Sequence, residues 1–280
     1  MWEQVFVETT RGRFEVFTQG EGEPICVTHF YSEFNESGDY FAETFISTNK
    51  VILVNLREAG NSEKSSQPYE LSFLESVFDL EAIREALGFH KWGFAGHSTG
   101  GMLGVVYGIY CSNHLKFNVI VGAAAREYMT FSPECIYNDK HPKFNKMQML
   151  IEELKRSDIP LQTRRELTKE RTKLSLFKPE SYDEIFPFNV HKKMSSIRMN
   201  YFSRELQIFD VTRKLKLIST PTLIICGKYD VQCPLTYSLE MNELIPRSTL
   251  IIFTMSNHYP FLEEPNRFMN EIKTFIKEII

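Results

Sequence analysis

The chain has 280 residues, a formal charge of -4 and 24% charged residues. It is 42% hydrophobic and 13% aromatic, too apolar for an intrinsically disordered chain and long enough to bury a sizeable core. A slightly acidic balance excludes the basic footprint that nucleic-acid binding usually needs. Cys26, Cys111, Cys135, Cys226 and Cys233 are odd in number and lack CxxC spacing, so they read as reduced thiols. The N-terminal residues have no basic stretch followed by an apolar run, and no segment approaches the roughly 20 apolar residues of a membrane span. A cytoplasmic protein is expected, with no signal peptide and no membrane span.

In chain order, residues 4–8 and 13–18 read as two strands of a hairpin around Thr10-Arg11-Gly12. Residues 24–28 (PICVT) and 51–55 (VILVN) are apolar runs of buried-strand type, with a short helix over 41–47 between them. Phe73, Val77, Leu80, Ile83 and Leu87 recur at spacings of three and four, which predicts a helix over 71–87 with Gly88 past its end. A strand over 92–97, an apolar helix over 102–110 and a strand over 117–121 follow. The pattern resumes with a strand over 222–226, a helix over 235–244, a strand over 249–253 and an amphipathic helix over 268–279. Uninterrupted apolar strands alternating with helices imply an α/β fold, with a mostly parallel sheet covered on both faces.

The middle of the chain, 126–215, is different. It is rich in Lys, Arg, Glu and Met and has no clear strand. Helices are predicted over 144–155, 164–176 and 195–206, punctuated by Pro160, Pro179 and Pro187. It reads as a helical insertion between two sheet strands, which divides the chain into a core (1–125 and 216–280) and a cap (126–215).

The most informative segment is Trp92-Gly93-Phe94-Ala95-Gly96-His97-Ser98-Thr99-Gly100-Gly101. It holds G-x-S-x-G as Gly96, Ser98 and Gly100, after a predicted strand and at the start of a predicted helix. A sharp strand-to-helix turn needs small neighbours so that the two elements can approach, and it holds the serine hydroxyl clear of the sheet. A serine hydroxyl is a weak nucleophile and needs a base and a group to orient that base. Asp230 and His258 each follow a predicted strand, in the chain order Ser, Asp, His. Open α/β sheets place their sites at the C-terminal ends of strands. Ser98, His258 and Asp230 are therefore the candidate catalytic residues.

With these residues the chain resembles the α/β-hydrolase superfamily over nearly its whole length. The resemblance includes Pro221-Thr222-Leu223-Ile224-Ile225-Cys226-Gly227-Lys228-Tyr229-Asp230 and Ser256-Asn257-His258-Tyr259-Pro260-Phe261-Leu262-Glu263-Glu264-Pro265. It implies a helical cap in the position of the insertion and an oxyanion hole of backbone N–H groups. The resemblance implies the N–H of Thr99 as the second donor. Many members carry His-Gly where this chain has His29-Phe30-Tyr31, so Tyr31 is the first choice for the other donor and Phe30 the alternative. Asn55-Leu56-Arg57-Glu58-Ala59-Gly60-Asn61-Ser62 resembles the family's structural D-x-R-G-x-G-x-S loop, with Asn55 for Asp and Glu58 for Gly.

Three readings of function follow. The first is a serine hydrolase working through an acyl-enzyme on a small ester. The second rests on resemblance to proline-iminopeptidase-like enzymes through Phe209-Asp210-Val211-Thr212 and the Gly-Lys-Tyr-Asp loop. Those peptidases hold a free amine with cap carboxylates, and Glu205 is the candidate for that role. The third is a non-catalytic ligand-binding member of the fold. The partner is a small molecule or short peptide. With neither an HExxH nor a GxxxxGK[ST] signature, no metal and no other cofactor is expected.

Overall fold

The computed structural model describes residues 1–156, 158–186, 190–191 and 193–279. Pro187, expected to punctuate the insertion, lies outside the described residues. The elements open with β1 (Glu3–Thr9), β2 (Gly12–Gln19), β3 (Glu23–Val27) and β4 (Ser32–Glu33). Next come α1 (Tyr40–Glu43), β5 (Asn49–Val54), α2 (Phe73–Ala86), β6 (Trp92–His97), α3 (Thr99–Cys111) and β7 (Leu115–Val121). The insertion contributes α4 (Phe144–Lys155), α5 (Leu161–Lys173), α6 (Tyr182–Ile185), β8 (Lys193–Met194) and α7 (Ser196–Glu205). The chain closes with β9 (Thr222–Gly227), α8 (Leu235–Leu244), β10 (Ser248–Phe253), α9 (Pro260–Glu263) and α10 (Pro265–Ile279).

Eight strands form one sheet in the order β1-β2-β5-β3-β6-β7-β9-β10. Only β2 runs against the rest. Strand side chains alternate between faces, and here the alternation sorts two cores. Ile25, Val27, Val51, Leu53, Val119, Val121, Leu223 and Ile225 join one core, with Phe41 of α1 and Phe268, Ile272 and Ile276 of α10. Cys26, Ile52, Val54, Ile120 and Ile224 join the other, with Val77 and Leu80 of α2, Leu103 and Val106 of α3 and Met241 of α8. Both faces are apolar because both are covered by helices, which is why these strands read as continuous hydrophobic runs.

Several boundaries move from their expected places. Ser72 accepts a hydrogen bond from the Glu75 N–H, so α2 starts at Phe73. Pro160, with φ −57, sits just ahead of α5 and starts it at Leu161 rather than Arg164. The first short helix is capped by Asp39 and runs only through Glu43, not to 47. The family-like loop keeps its turn without the glycine: Glu58 itself takes φ 63 and its carboxylate accepts from the Ser65 N–H at 2.8 Å.

The insertion corrects one expectation. It does contain a strand: β8 pairs with β4, Ser32 against Met194 and Glu33 against Lys193. Two residues of a charged segment carry no periodicity that could reveal a strand. The two ends of the insertion are also joined, because Glu127 N–H donates to Phe209 O and Val211 N–H to Ala125 O, each at 2.8 Å. Among the described residues no helix is long and apolar enough to cross a membrane, and all five cysteines are unpaired.

Candidate active site

Ser98 sits between β6 and α3 with φ 56 and ψ −122, a strained backbone for a residue with a side chain. The glycines around it explain the tightness. A Cβ on Gly96 would lie 2.1 Å from the Gly100 carbonyl oxygen, and one on Gly100 would lie 2.2 Å from the Thr28 carbonyl oxygen. Strand, turn and helix therefore meet at backbone distance. The Ser98 N–H donates to Val121 O at 2.8 Å, which ties the turn to the end of β7.

His258 and Asp230 form a buried pair, with His258 Nδ1 at 3.0 and 2.9 Å from the two Asp230 oxygens. Asp230 is held in turn: its Oδ1 accepts from the N–H groups of Gln232 at 2.9 Å and Cys233 at 2.8 Å. Against this acceptor Nδ1 donates, which leaves Nε2 with a lone pair. Gly122, with φ +55, makes room for the pair, since a Cβ there would be 3.0 Å from Asp230 Oδ2 and 3.3 Å from the His258 ring. Ser98 and His258 line one cavity of about 310 Å³, together with Tyr31, His29, Tyr137, Arg171 and Gln232.

The loop after β3 is braced from both sides. His29 Nδ1 is 2.9 Å from Ser32 Oγ and its Nε2 is 3.1 Å from Thr99 Oγ1, linking the loop to the elbow. Tyr31 lines the cavity, and its N–H makes only a 3.5 Å contact with His29 Nδ1. Phe30 turns inward instead. It is fully buried and stacks on Phe73 at 4.0 Å between ring centroids. Its carbonyl accepts from Nε of Arg198 on α7, which also reaches Arg57 O and Ser76 Oγ, both at 2.9 Å.

The structure does not bring Glu205 to this cavity. Glu205 ends α7 and accepts from the Phe73 N–H at 3.1 and 3.3 Å, capping α2. Burial drives its pKa up to about 7, against the pull of that N–H and of the Arg198 charge. Three residues that the sequence did not single out also shape the site. His97 Nε2 donates to His258 O at 2.7 Å, and the two rings lie 4.5 Å apart. Glu263 accepts from the N–H groups of Asn257 at 2.9 Å, Tyr259 at 3.1 Å and Phe177 at 2.6 Å, so it clamps the histidine loop to the insertion. Arg171 enters from α5. Only His97 had a local signal, as the x position before the nucleophile.

Comparison with known proteins agrees with this fold. A family profile described as "alpha/beta hydrolase fold" matches residues 33–265. A solved structure of an alpha/beta fold family hydrolase from Bacillus anthracis str. Sterne is 40% identical, with a TM-score of 0.94 and coverage of 100% of both chains. A proline iminopeptidase from Heyndrickxia coagulans is 25% identical over 100% of both chains. A 2-hydroxymuconate semialdehyde hydrolase from Pseudomonas putida is 25% identical over 95% of this chain and 91% of its own.

Proposed function

Because the chain belongs to the α/β-hydrolase fold family, we propose that it is a cofactor-independent serine hydrolase acting through an acyl-enzyme on a small ester. One observation carries the reading. A buried His258–Asp230 pair opens on the same cavity as a serine held at φ 56. In this reading His258 Nε2 takes the Ser98 proton as the hydroxyl oxygen attacks the substrate carbonyl. Asp230 keeps the imidazole in the tautomer that accepts this proton and stabilises the imidazolium. The proton then passes to the leaving alcohol, and the same nitrogen activates water to release the acid.

The Thr99 N–H at the start of α3 and the Tyr31 N–H are the oxyanion donors. Two features support Tyr31 over Phe30. Tyr31 lines the cavity. The Phe30 carbonyl is held by Arg198 on the far side of the shared peptide, and in a trans peptide the N–H points opposite to the C=O. Such donors contribute roughly 3–4 kcal/mol each to lowering the barrier. The insertion, 126–215, acts as the cap that selects the substrate.

A second reading, an aminopeptidase that releases an N-terminal residue, draws support from the relative named proline iminopeptidase. The capping role of Glu205 weighs against it, since an amine-binding carboxylate has to face Ser98. The deciding assay pairs p-nitrophenyl acetate and butyrate with proline and alanine p-nitroanilides, using Ser98→Ala as the control. Ser98-dependent turnover of the esters alone supports the esterase; preferential cleavage of the free-amine anilides overturns it. Failure of a fluorophosphonate to label Ser98 would leave only a ligand-binding role.

A further inference from the structure

Helix α5 has no buried residue, and its other cations are either matched or, like Arg165, exposed to solvent. Lys169 pairs with Asp183 at 2.7 Å, Lys173 pairs with Glu170 at 3.1 Å, and Arg164 donates to Leu154 O at 2.7 Å. Arg171 is the exception. It faces the reactive cavity, only partly exposed, and among the described residues its guanidinium has no ion pair and no hydrogen bond. Taking a guanidinium out of bulk water is unfavourable unless an anion meets it. Burial works against the Arg171 charge, while Tyr137, Tyr259 and Tyr31 around it favour it, and its pKa stays above the ordinary value.

The neighbouring polar groups are already aimed. Tyr137 OH donates to Gln232 Oε1 at 2.8 Å, and Gln232 Nε2 donates to Ser175 Oγ at 3.0 Å. Among the described residues the one acidic group lining the cavity, Asp39, is occupied as the cap of α1, accepting from Phe41 and Ala42. A cavity of about 310 Å³ that holds Ser98, His258 and an unmatched guanidinium carries the charge pattern for a small anion. Arginine meets a carboxylate through two parallel N–H···O bonds, a geometry that fixes orientation as well as attraction.

We infer that Arg171 is the binding residue for a carboxylate on the substrate, so that the enzyme acts on small esters whose acyl part ends in a carboxylate. The inference deepens the hydrolase reading and rests on it for the position of the reacting carbonyl. A free-amine substrate would meet the same cation and be repelled.

The test uses esters matched in carbon number. Monomethyl glutarate is compared with methyl valerate, and monomethyl adipate with methyl hexanoate, by pH-stat titration. In the wild-type protein kcat/KM should favour the charged member of at least one pair by tenfold or more. Arg171→Met should cut that charged-to-neutral ratio at least tenfold, and Arg171→Lys should fall between. A wild-type preference for the neutral ester in both pairs overturns the inference, as does a ratio in Arg171→Met within twofold of wild type. Calorimetric titration of glutarate and adipate into the wild type and Arg171→Met separates this subsite from the hydrolase reading. If Ser98 resists a fluorophosphonate and no ester turns over, the hydrolase reading fails. Dicarboxylate binding weakened tenfold in Arg171→Met still supports the subsite, and equal or absent binding overturns it.

Discussion

Arg198 offers the sharpest test of how the insertion is tied to the core. It is fully buried on α7 and serves three acceptors on the other side of the interface, Phe30 O, Arg57 O and Ser76 Oγ. Its guanidinium also lies over the Phe30 ring at 4.6 Å. Arg198→Met keeps much of the volume and removes every donor. Three orphaned acceptors at about 1–3 kcal/mol each sum to about 6 kcal/mol. The cation itself is unfavourably placed, since burial lowers its pKa to about 10, and removing it returns about 3 kcal/mol. The net destabilisation is about 3 kcal/mol, or about 6 °C in Tm for a chain of this size. Urea unfolding and a thermal melt read it directly. Arg198→Lys keeps a buried charge without the fork, so it should be at least as unstable as Arg198→Met. The substitution also frees the Phe30–Tyr31 peptide, and kcat on a small ester should fall about tenfold to a hundredfold with KM little changed. A variant within about 1 kcal/mol of wild type, with unchanged kcat, would refute the argument that these segments depend on the guanidinium.

Glu205 holds its proton in the folded protein up to about pH 7, whereas an unfolded glutamate loses it near 4.5. The folded state therefore binds more protons in that window, and stability falls as pH rises from about 4.5 to 7. Discounted for solvent screening, the loss is about 1–2 kcal/mol. Glu205→Gln should gain that much on the wild type between pH 5 and 8 in urea titrations, and a constant difference would contradict the sign. Gly100→Ala drives a methyl group to 2.2 Å from the Thr28 carbonyl oxygen, so it should cost about 2–3 kcal/mol. A urea midpoint equal to wild type would mean that β3 and α3 can separate freely. Asp230→Asn keeps the shape of the pair but favours the wrong His258 tautomer. It should lower kcat by about 10³–10⁴ while circular dichroism is unchanged, and a fall of less than tenfold would remove Asp230 from the proposed triad.

Much of the site's frame was legible from residues close together in the chain. The spacing Gly96-x-Ser98-x-Gly100 marks a tight turn because only glycine admits backbone at 2.1–2.2 Å from a would-be Cβ. Asp230 and His258 each follow an apolar strand run, and the structure pairs them at 2.9 Å. Glu205 was misjudged for a reason of the same kind. A glutamate near the end of a cap helix has the right chemistry for an amine, but its partner proved to be the N–H of Phe73, 132 positions away.

Strand and helix periodicity, the insertion and the order Ser98, Asp230, His258 are written locally, since each depends on alternation, on helical spacing or on small residues at one turn. The partners of Arg198, His97 and Glu263, and the place of Arg171 in the cavity, are not written that way. Arg198 meets Phe30 across 168 positions and His97 meets His258 across 161. In a strand of sequence an arginine on a polar helix is by default a solvated charge. Only packing decides which one loses its water, and whether a protein carbonyl or a ligand's carboxylate takes the water's place.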